Sequence, residues 1–230
     1  MYCVITGASR GIGRELAILF AKSKYDLILT CKTNIDMLNL LKDELEKDYN
    51  VIVKTKKGHL TENDLSNIDD LAIVINNASI ADYNLLQDVS IDRYNEIIDS
   101  NLTDTFLTSK YSIPLFLNHK QGLIVNISSI WGELGASTEV LYSMTKGGII
   151  SFTKALSKEL EPSGIDCICF KLGFVDTDMN SHLTEEEKNE FIKDIKDKNL
   201  IDKKVVAKKM FDIITIRKYN TGDILDFTNF

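Results

Sequence analysis

Apolar residues in this chain fall into short continuous runs, separated by longer stretches where they recur every three or four positions. Tyr2–Ile5, Asp26–Thr30, Val51–Thr55, Leu71–Ile75, Gly122–Ile127 and Ile165–Phe170 are runs of the first kind. Continuity, rather than strict alternation, is what strands buried on both faces require. Between them the spacing predicts helices over Ile12–Lys22, Ile35–Lys47, Ile91–Ser100, Asn101–Asn118 and Leu141–Leu160, with a short helix capped at Thr61. Asn34 is placed to cap the second helix. Strand and helix alternate throughout, which predicts an α/β fold with a parallel sheet and helices on both faces. Ligands in such sheets bind beyond the carboxyl ends of the strands.

Four segments follow strands and should converge on that edge. Thr6-Gly-Ala-Ser-Arg-Gly-Ile-Gly13 comes directly after the first strand and opens the first helix. Glycines at 7, 11 and 13 let the backbone turn tightly and approach a ligand closely. The helix start behind them offers unpaired N–H groups and a positive dipole end to a phosphate. The spacing is Gly-x-x-x-Gly-x-Gly, not the commoner Gly-x-Gly-x-x-Gly fingerprint. Asn76-Asn-Ala-Ser79 follows the fourth strand, and its amides are candidates to turn the backbone over a bound ligand. Ser128-Ser129 follows the fifth strand and Leu172–Thr177 the sixth.

Tyr142 and Lys146 stand four apart near the start of a long helical pattern. That spacing puts them on one helix face, roughly 5–6 Å apart at Cβ. A phenol is a poor acid at neutral pH, and a neighbouring ammonium favours its ionised form. Bringing it near 7 takes roughly 4 kcal/mol of differential interaction. Ser129 could hold a substrate oxygen while the phenol gives or takes a proton.

Composition narrows the classes. With 27 Lys+Arg against 34 Asp+Glu the formal charge is −7, which leaves no electrostatic footprint for nucleic acid. No apolar run is long enough for a membrane span. The first residues hold a glycine turn and an Arg-Glu pair and do not read as a secretory signal, so a cytoplasmic protein is expected. Cys3, Cys31, Cys167 and Cys169 all lie in expected strands, form no Cys-x-x-Cys pair, and read as small buried hydrophobes. No low-complexity linker marks a boundary, so residues 1–230 are expected to form a single domain.

Over nearly all its length the chain resembles the short-chain dehydrogenase/reductase family. The resemblance rests on Thr6-Gly-x-x-x-Gly-x-Gly13, Asn76-Asn-Ala78, Asn101 in Asn-Leu-Thr-Asp-Thr-Phe, Ser129, Tyr142-x-x-x-Lys146 and Gly173-Phe-Val-Asp-Thr177. It is closest in character to the 3-oxoacyl-[acyl-carrier-protein] reductases. It implies a Rossmann-type, doubly wound sheet of about seven strands. The cofactor-binding half would span about 1–120, the catalytic and substrate half about 121–230, and a substrate lid about 178–204. It further implies a catalytic tetrad of Asn101, Ser129, Tyr142 and Lys146. Tyr142 would donate the proton, Lys146 would lower its pKa and hold the nicotinamide ribose, Ser129 would bind the substrate oxygen, and Asn101 would support a proton relay. Gly7, Ser9, Arg10, Gly11, Ile12, Gly13, Lys32, Asn77, Ala78, Tyr142, Lys146, Gly173, Val175 and Thr177 would contact the cofactor. The implied chemistry is hydride transfer between a nicotinamide and a small or acyl-carrier-bound carbonyl.

Some positions depart from the family pattern. Ser79 and Leu172 replace a glycine and a proline, and the carboxyl end lacks a Gly-Gly pair. His59 stands where an aspartate usually touches adenine, and reads as a plain loop histidine. Leu29-Thr-Cys-Lys-Thr33 carries no carboxylate for an adenosine ribose, whereas Arg10 and Lys32 suit a 2′-phosphate. NADP(H) is therefore expected, with NAD(H) left open. The segment from Asp178 to about Lys204 reads as charged and helical, with a capping-box match at Thr184–Glu187. His182 and the lysines at 120, 193, 196 and 198 are candidate substrate or partner contacts there and on the rim. Reduction of a ketone, oxidation of an alcohol or sugar, and non-catalytic cofactor sensing all remain open, although a sensor would be expected to lack Tyr142 or Lys146. The family pairs the Asn101–Asn118 and Leu141–Leu160 helices across two-fold axes, which implies a homodimer or homotetramer.

Overall fold

The computed structural model describes residues 1–176 and 201–228. In chain order the elements are β1 (Tyr2–Ile5), α1 (Gly11–Lys22), β2 (Asp26–Cys31), α2 (Ile35–Tyr49), β3 (Val53–Lys57), α3 (Glu62–Leu65) and β4 (Leu71–Asn76). Then come α4 (Ile91–Ile98), a π-helical turn (Asp99–Thr103), α5 (Asp104–His119), β5 (Gly122–Ser129), α6 (Trp131–Leu134), α7 (Val140–Leu160) and β6 (Ile165–Leu172). The described residues end with β7 (Val175–Asp176), β8 (Ile201–Asp202), α8 (Lys203–Thr215) and β9 (Ile224–Phe227).

Seven strands form one parallel sheet in the order β3-β2-β1-β4-β5-β6-β9. Strand order reverses between β1 and β4, which opens a crevice beyond their carboxyl ends. β5 is buried at all eight positions, as its unbroken apolar run requires. One face of the sheet packs on α1, α2 and α8 through Leu16, Phe20, Leu38, Leu41 and Met210. Phe20 meets Phe211 edge-on at 5.0 Å. The other face carries Phe116 of α5 and Leu156 and Leu160 of α7. All four cysteines are buried free thiols, as expected from their place in strands.

Three boundaries differ from the sequence pattern for local reasons. β3 starts two residues late, because the N–H groups of Ile52 and Val53 donate to the side chains of Asp26 (2.8 Å) and Glu46 (2.9 Å). The two helices expected to meet at Asn101 are joined by the π-turn, and Asn101 sits buried inside it. Ile201–Asp202 forms a strand against β7 where a helix was expected. Residues 178–200, with the capping-box match and His182, lie outside the described residues.

Beneath the carboxyl edge runs a buried amide ladder. Asn76 Nδ2 donates to Asn126 Oδ1 (2.8 Å) and to Ser109 Oγ (3.0 Å). Asn126 Nδ2 in turn donates to Thr153 Oγ1 at 2.9 Å. These bonds tie β4, β5, α5 and α7 directly below the crevice, and Asn76 Oδ1 is left buried with no hydrogen-bond partner among the described residues.

Candidate active site

The crevice is a cavity of about 480 Å³ along the carboxyl edge. Its first wall is the turn after β1. Gly7 has φ +65° and Gly11 φ +60°, in the left-handed region that glycine enters without strain. A Cβ on Gly13 would lie 2.6 Å from both Asn77 Nδ2 and Gly7 O, so the helix can seat against this turn only through glycine. Gly13 thus stands behind the cavity, while Gly7, Ser9, Arg10, Gly11 and Ile12 line it. The first turn of α1 has no side-chain cap, so its N–H groups remain available to an anion.

The Asn76–Ser79 segment fastens that turn. Asn77 Nδ2 donates to Thr6 O (2.9 Å), and the N–H groups of Asn77 and Ala78 donate to Thr6 Oγ1 (3.1 and 2.9 Å). The amides expected to fold over a ligand are therefore used inward, one on the turn and one in the ladder. Asn77, Ala78 and Ser79 still line the cavity, and the Ser79 hydroxyl is buried with no partner among the described residues.

The opposite wall comes from β5, α7 and the segment after β6. Ser128 Oγ donates to Lys146 O at 2.8 Å and locks α7 to the strand end. Gly132 allows the close fit of α6, since a Cβ there would lie 2.6 Å from the Lys146 carbonyl carbon. Ser129, Tyr142 and Lys146 meet in the cavity, with Gly173 and Val175 beside them. Ser129 Oγ lies close enough to the Tyr142 phenol to act on its pKa, and it accepts from Trp131 N at 3.2 Å. Lys146 Nζ donates to Ile127 O at 2.9 Å and stands 5.4 Å from the centre of the Tyr142 ring. Thr177 lies outside the described residues.

Burial governs the charges here. It pushes the Tyr142 phenol well above its usual range, with Glu139 adding to the rise and the Ser129 hydroxyl opposing it. The ammonium of Lys146 is itself desolvated and lowered to about 8. The expected drop in the phenol's pKa is therefore corrected in this structure. Lys146 spends its ammonium on a backbone carbonyl, and desolvation of the phenol prevails.

Asn101 does not reach the cavity. Its Oδ1 accepts from Ile80 N (2.8 Å), and its Nδ2 donates to Ile80 O (2.9 Å) and Thr145 Oγ1 (3.0 Å). Thr145 Oγ1 donates to Tyr142 O at 2.8 Å. Asn101 thus braces the turn of α7 that carries Tyr142, one residue removed from it. Lys32 lines the cavity, but its Nζ donates to Glu96 O (3.2 Å) and lies 3.8 Å from the carboxylates of Glu96 and Asp99. Arg10 is exposed and has no ion-pair partner among the described residues.

His59 is no plain loop histidine. Nδ1 meets Asp104 Oδ1 at 2.7 Å and Nε2 meets Asp99 Oδ1 at 2.8 Å. Two carboxylates on the two ring nitrogens require an imidazolium, and they raise its pKa to about 9. Glu139 and Tyr83, which also line the cavity, were not singled out from sequence. The one signal available for Glu139 was its place three residues before Tyr142, on the same helix face.

A Rossmann-type sheet with a glycine turn at one wall and a serine, tyrosine and lysine at the other defines a nucleotide-dependent oxidoreductase fold. The family model for short chain dehydrogenases matches residues 2–188, and the chain belongs to that family. It is an oxidoreductase of this family. An uncharacterized oxidoreductase of Bacillus subtilis, YmfI, is 33% identical over 229 residues, covering 96% of this chain and 95% of the relative. The 3-oxoacyl-[acyl-carrier-protein] reductase FabG of Aquifex aeolicus is 34% identical over 197 residues, 82% of this chain and 79% of its own. Among solved structures, a Beutenbergia cavernae protein superposes with a TM-score of 0.88 over 98% of this chain and 94% of its own at 23% identity. It is provisionally described as an NAD(P)-dependent gluconate 5-dehydrogenase and holds NADP at low occupancy.

Proposed function

We propose that this chain is an NADPH-dependent ketone reductase acting on a small or acyl carbonyl substrate. The observation that carries this reading is the meeting of Ser129, Tyr142 and Lys146 at the cavity wall, with the Tyr142 phenol held protonated by desolvation. At neutral pH the phenol carries the proton that a carbonyl oxygen takes up, and its place on the wall with Ser129 and Lys146 aims it into the cavity.

The residues present fit a dinucleotide phosphate. The uncapped start of α1 offers N–H groups to a pyrophosphate, and Arg10 stands beside it for a 2′-phosphate. Ser79, whose hydroxyl is buried with no partner among the described residues, lines the same cavity. When bound, the nicotinamide supplies the hydride. Ser129 and Tyr142 would then grip the substrate oxygen together, and Tyr142 would deliver the proton. Lys146 would hold the nicotinamide ribose, with Gly173 and Val175 on the wall beside it. Asn101 acts through Thr145 as a positioning residue for Tyr142. The name of the Aquifex relative supports an acyl-carrier-bound 3-oxoacyl substrate, and homo-oligomerisation is proposed with it. The test is NADPH consumption with neutral 3-oxoacyl thioesters, run beside NADH. Turnover with NADPH supports the reading, and turnover with NADH alone contradicts it.

A further inference from the structure

Glu139 is the acid that this account of the chemistry leaves unused. It lines the cavity beside Tyr83 and Tyr142. Its Oε2 is buried with no hydrogen-bond partner, and no cation pairs with the carboxylate among the described residues. The ionisable groups facing it are two phenols, Tyr83 and Tyr142, both held protonated. Lys146, behind Tyr142, is committed to Ile127 O. A carboxylate with one oxygen buried and unpartnered is costly to keep ionised, because nothing nearby offsets the hydration lost there. Burial holds its titration near about 7, so it is an anion on the alkaline side of neutrality.

We propose that Glu139 sets substrate charge, so that the pocket accepts ketones neutral near the reacting carbon and rejects those with a carboxylate there. This rests on the ketone-reductase reading above. Two like charges about 5 Å apart, at an effective dielectric of about 20, repel enough to change relative rates on the order of 10²-fold. A neutral ester or thioester meets no such charge–charge repulsion.

The test uses a matched pair, ethyl acetoacetate and acetoacetate, with NADPH at a pH well above the Glu139 titration. The quantity read is the ratio of the two kcat/KM values within each enzyme, which cancels any general loss of activity. The wild type should favour the ester by at least about tenfold. Glu139→Gln, which keeps the shape and removes the charge, should shrink that ratio by about tenfold or more, chiefly through KM for the anion. Glu139→Asp, which keeps the charge, should preserve it. NADPH affinity, read by fluorescence, reports whether each variant is folded. A ratio that Glu139→Gln leaves unmoved, or that both variants collapse alike, overturns the proposal alone. Reduction of neither ketone by a wild type that binds NADPH contradicts the reductase reading, and the proposal falls with it.

Discussion

Arg10 and Lys32 carry equal formal charge and line the same cavity, yet their surroundings differ. Lys32 is already held by Glu96 and Asp99, so a phosphate must compete with two carboxylates for it. Arg10 has no such competitor among the described residues, and its guanidinium can meet a phosphate through two parallel hydrogen bonds. Charge-assisted hydrogen bonds contribute about 1.5–3 kcal/mol each. Arg10→Ala should therefore weaken NADPH by roughly tenfold or more while leaving NADH nearly unchanged. Lys32→Ala should cost less than Arg10→Ala, because it removes a cation that is already engaged. Equal losses for NADPH and NADH in Arg10→Ala, measured by titration of cofactor fluorescence, would contradict the assignment.

At the scale of elements, the π-turn between α4 and α5 ties the two halves of the site together. Asn101 braces α7 from inside the turn, and Asp99 and Asp104 at its two ends clamp His59. The folded pKa of His59, about 9, lies above its ordinary 6.5. Its stabilisation is thus fully present below about pH 6.5 and is lost as pH rises through about 9. The melting temperature of His59→Gln should fall furthest below the wild type in mildly acidic buffer, and the gap should close on the alkaline side. A gap independent of pH would mean that the ring acts only by its shape. None of this was legible beforehand, since residues 59, 99 and 104 meet only through the fold. The strands were legible because burial on both faces leaves continuous apolar runs. Likewise, Tyr142 and Lys146 could be paired because helix geometry fixes a four-residue spacing. The roles of Asn101 and Lys32 depend on tertiary partners that no spacing records, and burial reversed the expected shift of Tyr142.

Over the whole molecule, the parallel sheet gathers every predicted wall of the cavity on one edge, and the helices leave apolar side chains outward. Phe106 and Leu117 on α5 are 51% and 46% exposed, and Met144 on α7 is 47% exposed. These are the helices expected to pair between copies, and covering such side chains favours association by about 25 cal/mol per Å² of apolar surface. Light scattering at micromolar concentration should give two or four times the mass of the chain, and Phe106→Glu should lower it. A monomeric mass for the unaltered protein would contradict the oligomer.

The central claim is that the Tyr142 phenol at the cavity wall delivers the proton when a ketone is reduced. The most direct measurement follows NADPH absorbance on addition of a neutral 3-oxoacyl thioester, with the wild type and Tyr142→Phe side by side at equal NADPH saturation. The account predicts steady consumption by the wild type and a rate lower by roughly 10²–10⁴-fold in the variant, with NADPH affinity retained. A Tyr142→Phe enzyme that consumes NADPH at close to the wild-type rate would contradict it.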